Sequence, residues 1–313
     1  MLNRRNIRTK VLQAVFAMQQ SESGDLVKHQ KLLNLSLNNI YKLYILQLLL
    51  LIALKKRAQE EIEIGLKKNF PTEADLQPNY KFVNNKLLEK LENNHFLQAY
   101  QQKYKLDKWA LEKEIVNLIW KKIKESKLYA AYMSDRHNSF QEDKEFVLDL
   151  YKNFVAPETK LHELYEAEES QWADDIAIAN TLVMKTISGI KEGDAFETLP
   201  PLYKDVQDKE FAIELFNKVM LNDAKFTQML QGKTPNWEYE RISAIDKLIM
   251  KMGLAEFLHF PSIPTNVSIN EYVEIAKEFS TPKSNVFING VLHGLVKELK
   301  QNKKLNKNIR GRS

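Results

Sequence analysis

Four cations open the chain: Arg4, Arg5, Arg8 and Lys10. Arg5 and Arg8 are three residues apart, so a helix sets them on one flank of the apolar positions Ile7, Val11, Ala14, Val15 and Met18. A planar guanidinium can fork onto two phosphate oxygens or stack on a base, which makes this spacing suited to a nucleic-acid backbone. A second cationic start follows much later, in Thr281-Pro282-Lys283-Ser284-Asn285-Val286-Phe287. A helix beginning there offers free amides and a field that favours anions. Phe287 could pack on the core or stack on a splayed base, and Asn289 could bond a base edge or remain an ordinary surface amide. The third feature is Glu256, which stands where the stripe Ile242, Ile245, Ile249, Met252 calls for an apolar residue. A carboxylate at that place either reaches water at the helix edge or meets a partner.

Residues for covalent or metal chemistry are not arranged to perform it. The chain has no cysteine, which excludes disulfides, thiol nucleophiles and Cys-ligated metals. None of the six histidines has a second His at the spacing of a metal-binding helix, and there is no Gly-rich phosphate loop or Ser-centred nucleophile elbow. The acidic pairs Glu60-Glu61, Glu168-Glu169 and Asp174-Asp175 are adjacent in sequence, so on a helix they diverge by about 100° and read as solvated faces. The expectation is a noncatalytic protein without cofactor or metal.

The elements that must position these residues are helices. Gly and Pro number nine each in 313 residues, and apolar positions recur at three and four. Helices are predicted at about 4–20, 28–68, 80–103, 108–133, 140–155, 160–188, 208–221, 224–230, 238–256, 268–279 and 283–301. Asp107 and Ser139 are predicted caps, Ser268 with Glu271 forms a predicted capping box, and Thr281-Pro282 a predicted start. The net charge of +5 conceals an uneven distribution: the first ten residues and the stretch after Lys297 are strongly basic, and the body between them is slightly acidic. Tyr44–Leu54 is apolar but only about half the length of a membrane span, so no membrane segment is expected and a cytoplasmic location is. The aromatic residues of the middle block, Tyr80, Phe82, Tyr100, Trp109, Trp120 and Tyr132, are numerous enough for a core of their own, yet their interleaving with Lys would also suit a binding face.

The opening Arg4-Arg5-Asn6-Ile7-Arg8 with Gln13-Ala14-Val15-Phe16 resembles the first helix of the NusB antitermination factors. The likeness continues through Trp237, Arg241, Asp246, Leu254-Ala255-Glu256, Ile263-Pro264, Ile269-Asn270-Glu271, Ala276-Lys277 and Phe287-Ile288-Asn289-Gly290-Val291-Leu292. It implies an all-α fold of two small helical bundles, enlarged here by an inserted helical region. The corresponding division is an N-terminal segment 1–60, an insertion 61–204, a C-terminal domain 205–301 and a basic flexible tail 302–313. The resemblance also implies binding of boxA-like single-stranded RNA together with the ribosomal protein NusE, alongside other Nus factors and RNA polymerase, in support of ribosomal RNA transcription. Carried over position by position, it assigns RNA contact to Arg4, Arg5, Arg8, Lys283, Phe287 and Asn289, and partner contact to Phe16 and Glu256. Asn6 stands where a third arginine is common, and Phe16 lacks the hydroxyl of the usual tyrosine. Two other readings of the chain are a recognition protein for an RNA-modifying enzyme and a protein-only helical scaffold.

Overall fold

The computed structural model describes residues 1–21, 24–193, 195–196, 198–233, 239–305 and 307–308. Among them the secondary structure is helical, with no strand. The first half of the chain supplies α1 (Arg4–Gln20), α2 (Leu26–Leu66), α3 (Glu73–Leu76), α4 (Lys86–Glu92), α5 (His95–Tyr104), α6 (Lys108–Leu111), α7 (Lys113–Lys124), α8 (Lys127–Tyr132) and α9 (Phe140–Leu150). There follow α10 (Thr159–Glu168), α11 (Trp172–Gly189), α12 (Val206–Leu221), α13 (Asp223–Gln231), α14 (Ala244–His259), α15 (Thr265–Phe279) and α16 (Ser284–Gln301). Two compact units result. The first is Asn38–Leu202, with Met1; the second combines Leu2–Leu37 with Tyr203–Ser313. The first division therefore falls inside α2, between Leu37 and Asn38, rather than near residue 60.

In the first unit α2 is the central element. Leu43, Ile45, Leu48, Leu50 and Leu54 are wholly buried, and an all-round apolar helix of this kind needs cover on every side. Among the described residues, α2 is the helix long and apolar enough by composition to cross a membrane. Here the apolar residues of its central part are covered by protein, while Ile64 and Leu66 near its end are exposed. Trp109 and Trp172 donate their indole N–H groups to the carbonyls of Leu46 and Asn39 at 2.7 and 3.0 Å. The polar interruption Gln47 is satisfied too: its amide donates to Asn180 Oδ1 at 2.9 Å, and the Tyr151 hydroxyl lies 2.7 Å from its Oε1. Phe82, stacked on Trp120 at 5.1 Å, and Tyr132, stacked on Phe146 at 3.9 Å, form a second aromatic cluster. Phe82, Trp109, Trp120 and Tyr132 are thus core residues, whereas Tyr80 is exposed and Tyr100 half-buried.

The predicted long helices of this unit are shorter and better capped. Asn94 accepts from the Leu97 amide and Ser126 from the Tyr129 amide, which divides 80–103 and 108–133 into separate helices. Ser139 caps α9 through the Glu142 amide; Asp107 makes no side-chain cap bond.

The second unit is built around α14, α15 and α16, with α1 packed on α12, α14 and α15. Ser268 and Tyr272 of α15 meet Glu256 on α14, while Ser280 meets Asp246 near the start of α14, so α14 and α15 are antiparallel. Ser284 at the start of α16 also meets Asp246, and Leu292 lies so close to Gly253 that a Cβ there would approach it to 2.7 Å; α16 therefore runs parallel to α14. Two predicted starts move. The helix α15 begins at Thr265, leaving Ser268 inside it with its hydroxyl on Glu256 rather than on a cap amide, and α16 begins at Ser284, two residues beyond Pro282. The described part of the basic tail is docked, not flexible: the Lys307 ammonium donates to the carbonyls of Glu256 and Phe260 at 3.0 and 2.8 Å, and the Asn308 amide donates to that of Pro261. Arg310, Arg312 and Trp237 lie outside the described residues.

Candidate functional site

The first turn of α1 is fixed by its own amides. Asn3 caps the helix by accepting from the Asn6 amide, and Asn6 returns the bond by accepting from the Asn3 amide. Asn6 thus has a structural task at the position where the family resemblance makes a third arginine common. With that turn fixed, Arg4, Arg5 and Arg8 reach the carboxylates of Asp208, Glu271 and Glu256, and Arg8 also lies 3.8 Å from Glu271.

Arg4 Nε donates to Asp208 on α12 at 2.9 Å, and Arg5 grips Glu271 on α15 with two bonds of 3.0 and 2.9 Å. Their side chains remain 39% and 42% exposed, so each has part of its guanidinium turned to solvent. Arg8 differs. It is 2% exposed and forks onto Glu256, itself fully buried, at 2.6 and 2.9 Å. Ser268 and Tyr272 donate their hydroxyls to the same carboxylate at 2.7 and 2.6 Å, and Arg8 lies 5.2 Å from the Phe211 ring centroid. Burial by itself would raise the Glu256 carboxyl, but the charge of Arg8 and the bonds from Arg8, Tyr272 and Ser268 outweigh it and hold the group below its ordinary value. Burial likewise opposes the Arg8 charge, and Glu256 more than restores it. The Tyr272 hydroxyl is pushed far up by burial and by Glu256, so it stays a donor.

This geometry corrects two expectations. Glu256 does not reach water at a helix edge, because an arginine, a serine and a tyrosine surround its carboxylate. Direct contact of Arg8 with a phosphate, or of Glu256 with a partner, would require side chains that face outward, and both face inward. The interrupted stripe on α14 has a cause within the unit itself.

The second cationic start lies elsewhere on the bundle. Lys283 is exposed, and Phe287 and Asn289 are half-buried. Asp246 holds this corner by accepting from Ser280 and Ser284 at 2.6 and 2.9 Å. Asp246 and Glu256 are ten residues apart on α14, or about 15 Å at helical rise. Arg4, Arg5 and Arg8 are therefore gathered at one end of the bundle, and Lys283 stands at the other. Phe16, half-buried, is two turns of α1 beyond Arg8, about 12 Å.

Asp208, Glu271, Ser268, Tyr272 and Lys307 complete the site and were not anticipated in these roles. One signal was available: Ser268, Glu271 and Tyr272 share a helix face at spacings of three and four, and a polar cluster there needs a charged partner.

A family model described as the NusB family matches residues 181–297. The chain is 36% identical over 140 residues to the transcription antitermination protein NusB of Salinibacter ruber, which covers 42% of this chain and 88% of that protein. It is 38% identical over 107 residues to NusB of Chloroherpeton thalassium, covering 34% of this chain and 51% of that one. It is also 38% identical over 103 residues to NusB of Koribacter versatilis, covering 32% and 70% respectively. No solved structure matches. The all-helical fold agrees with these relatives, and the chain belongs to the NusB family, a family of noncatalytic transcription antitermination factors.

Proposed function

We propose that the chain binds a boxA-like single-stranded RNA together with the ribosomal protein NusE and, in the cytoplasm, joins other Nus factors on RNA polymerase to support ribosomal RNA transcription. The observation that carries this reading is the half-exposed pair Arg4 and Arg5. Each is anchored on one side by a carboxylate and open on the other, so a phosphate gains a charge-assisted bond without having to order a loose side chain. Arg8 and Glu256 act one step behind them. Their buried pair fixes α1 against α14 and α15, which sets the height and direction of Arg4 and Arg5. Lys283, Phe287 and Asn289, from the start of α16 onward, form a second contact for a strand of several nucleotides. Phe16 offers an aromatic contact for the protein partner.

The test is anisotropy of a labelled boxA-like RNA titrated with the full chain, with and without NusE. The variant carrying Arg4→Ala and Arg5→Ala weakens RNA binding by at least about tenfold while leaving the fold intact. Wild-type affinity in that variant would remove the two arginines from the interface. Failure of the wild-type chain to bind RNA even with NusE present would favour the protein-only scaffold.

A further inference from the structure

The first unit carries an aromatic row that extends from its core to the surface. Phe96, Tyr100 and Tyr104 recur every four residues along α5, a helix whose one buried residue is Leu97. The three rings lie in sequence on one face. Phe96 and Tyr100 centroids are 6.2 Å apart with ring planes inclined by 31°, and those of Tyr100 and Tyr104 are 4.4 Å apart and inclined by 35°. Tyr100, the middle ring, is braced edge-on by Tyr41 of α2 at 5.4 Å. The outer rings are open: Phe96 is 39% and Tyr104 48% exposed. The centre ring is held on the buried Tyr41, and the two outer rings are left largely to solvent.

The charge around the row selects its occupant. No acidic residue occurs between His95 and Leu106, whereas Lys103 and Lys105 are both exposed on this segment. The Lys103 ammonium lies 5.1 Å from the Tyr104 centroid, close enough to move from the ring to a phosphate beside a stacked base. Gln102 adds an exposed amide able to bond a base edge. Flat faces for bases with cations for the backbone are the two components of a sequence-tolerant single-strand site. An acidic or purely apolar protein partner would use only one of them.

We propose that the Phe96–Tyr100–Tyr104 row with Lys103 and Lys105 is a stacking platform for single-stranded RNA, a second RNA contact carried by the first unit. The choice of RNA as occupant rests on the function proposed above; the geometry of the row does not. The experiment compares the full wild-type chain, a Phe96→Ala/Tyr104→Ala variant and the Arg4→Ala/Arg5→Ala variant, each titrated with a labelled uridine 20-mer and with a boxA-like RNA. Both substituted rings are exposed and Tyr100 is left in place, so circular dichroism of the ring variant should match wild type; a Phe96→Tyr/Tyr104→Phe variant controls for ring loss.

The expected result is about a tenfold loss of 20-mer affinity in the alanine variant, recovery in the conservative variant, and ultraviolet crosslinks of the 20-mer within residues 95–105. Wild-type 20-mer affinity in the alanine variant, or crosslinks confined elsewhere, would overturn the proposal whatever the arginine variant does. Loss of binding to both RNAs in the arginine variant, with both affinities unchanged in the ring variant, would leave the N-terminal reading standing and the platform refuted; loss of 20-mer affinity in the ring variant with boxA-like RNA binding unchanged in the arginine variant would do the opposite. Unchanged RNA binding accompanied by loss of self-association would assign the row to a second copy of the chain and refute the RNA platform.

Discussion

The two ends of the α14–α15–α16 bundle solve one problem in different ways. At each end a buried carboxylate of α14 gathers the neighbouring helices, Glu256 at one and Asp246 at the other. Glu256 is neutralised by a full counter-charge from α1 and by two hydroxyls. Asp246 receives the hydroxyls of Ser280 and Ser284. A buried charge with a charged partner stakes more on that partner than one held by neutral donors. In both cases the cations suited to a ligand are neighbours of the hub: Arg4 and Arg5 beside Arg8, and Lys283 beside Ser284. The buried group positions, and the exposed group binds.

The sharpest way to break this contrast is at Glu256. Removing Arg8 by Arg8→Ala leaves a desolvated carboxylate and should cost about 3–5 kcal/mol in urea unfolding, with a smaller cost in an Arg8→Met/Glu256→Gln double variant that removes both charges. Equal losses in single and double variants would show that the pair does not act as a unit. At the other end, Asp246→Ala strands two hydroxyls and should cost roughly 1–3 kcal/mol. A loss as large as that of Arg8→Ala would erase the difference between the hubs.

The same contrast has a pH signature. The Glu256 carboxyl is held below its ordinary value of 4.5, so near and below that value the fold binds fewer protons at this site than the unfolded chain does. Its contribution is complete above the ordinary carboxylate range and is lost as pH falls through the depressed folded value. Acid unfolding monitored by circular dichroism should therefore shift to higher pH in Arg8→Ala. Lys307, lowered to about 8 mainly by burial, has a slope of the same sign in a more alkaline window. The docked tail binds fewer protons than a free one, so docking should tighten as pH rises from about 8 toward the ordinary lysine value, measurable as slower proteolysis after residue 303 in Lys307→Met comparisons. The smallest stability effect belongs to Arg5→Ala, within about 1 kcal/mol, because both members of its pair are partly solvated; Arg4→Ala should cost more, because it strands the buried Asp208 carboxylate.

The sequence made the local features of the second unit readable. The bounds of α1 follow from an apolar stripe closed by Ser21 and Gly24, and the observed helix is Arg4–Gln20. The breaks between α4 and α5 and between α7 and α8 were hidden because Asn94 and Ser126 look like ordinary polar faces until their side chains turn onto backbone amides. Glu256 was conspicuous as an interruption, yet its explanation lies 248 residues away at Arg8, and no local period connects the two. Arg5 and Arg8 illustrate the same limit: at spacing three they look equivalent, and only the packing of α1 on α14 and α15 buries one and leaves the other open.

The division of labour among the three arginines is tested most directly by the salt dependence of boxA-like RNA binding. For the wild-type chain the logarithm of the affinity should fall linearly with the logarithm of salt concentration, and Arg4→Ala/Arg5→Ala should flatten that slope by about 1.4, the value for two lost single-strand phosphate contacts. A slope equal to wild type in that variant would show that Arg4 and Arg5 meet no phosphate and would contradict the assignment.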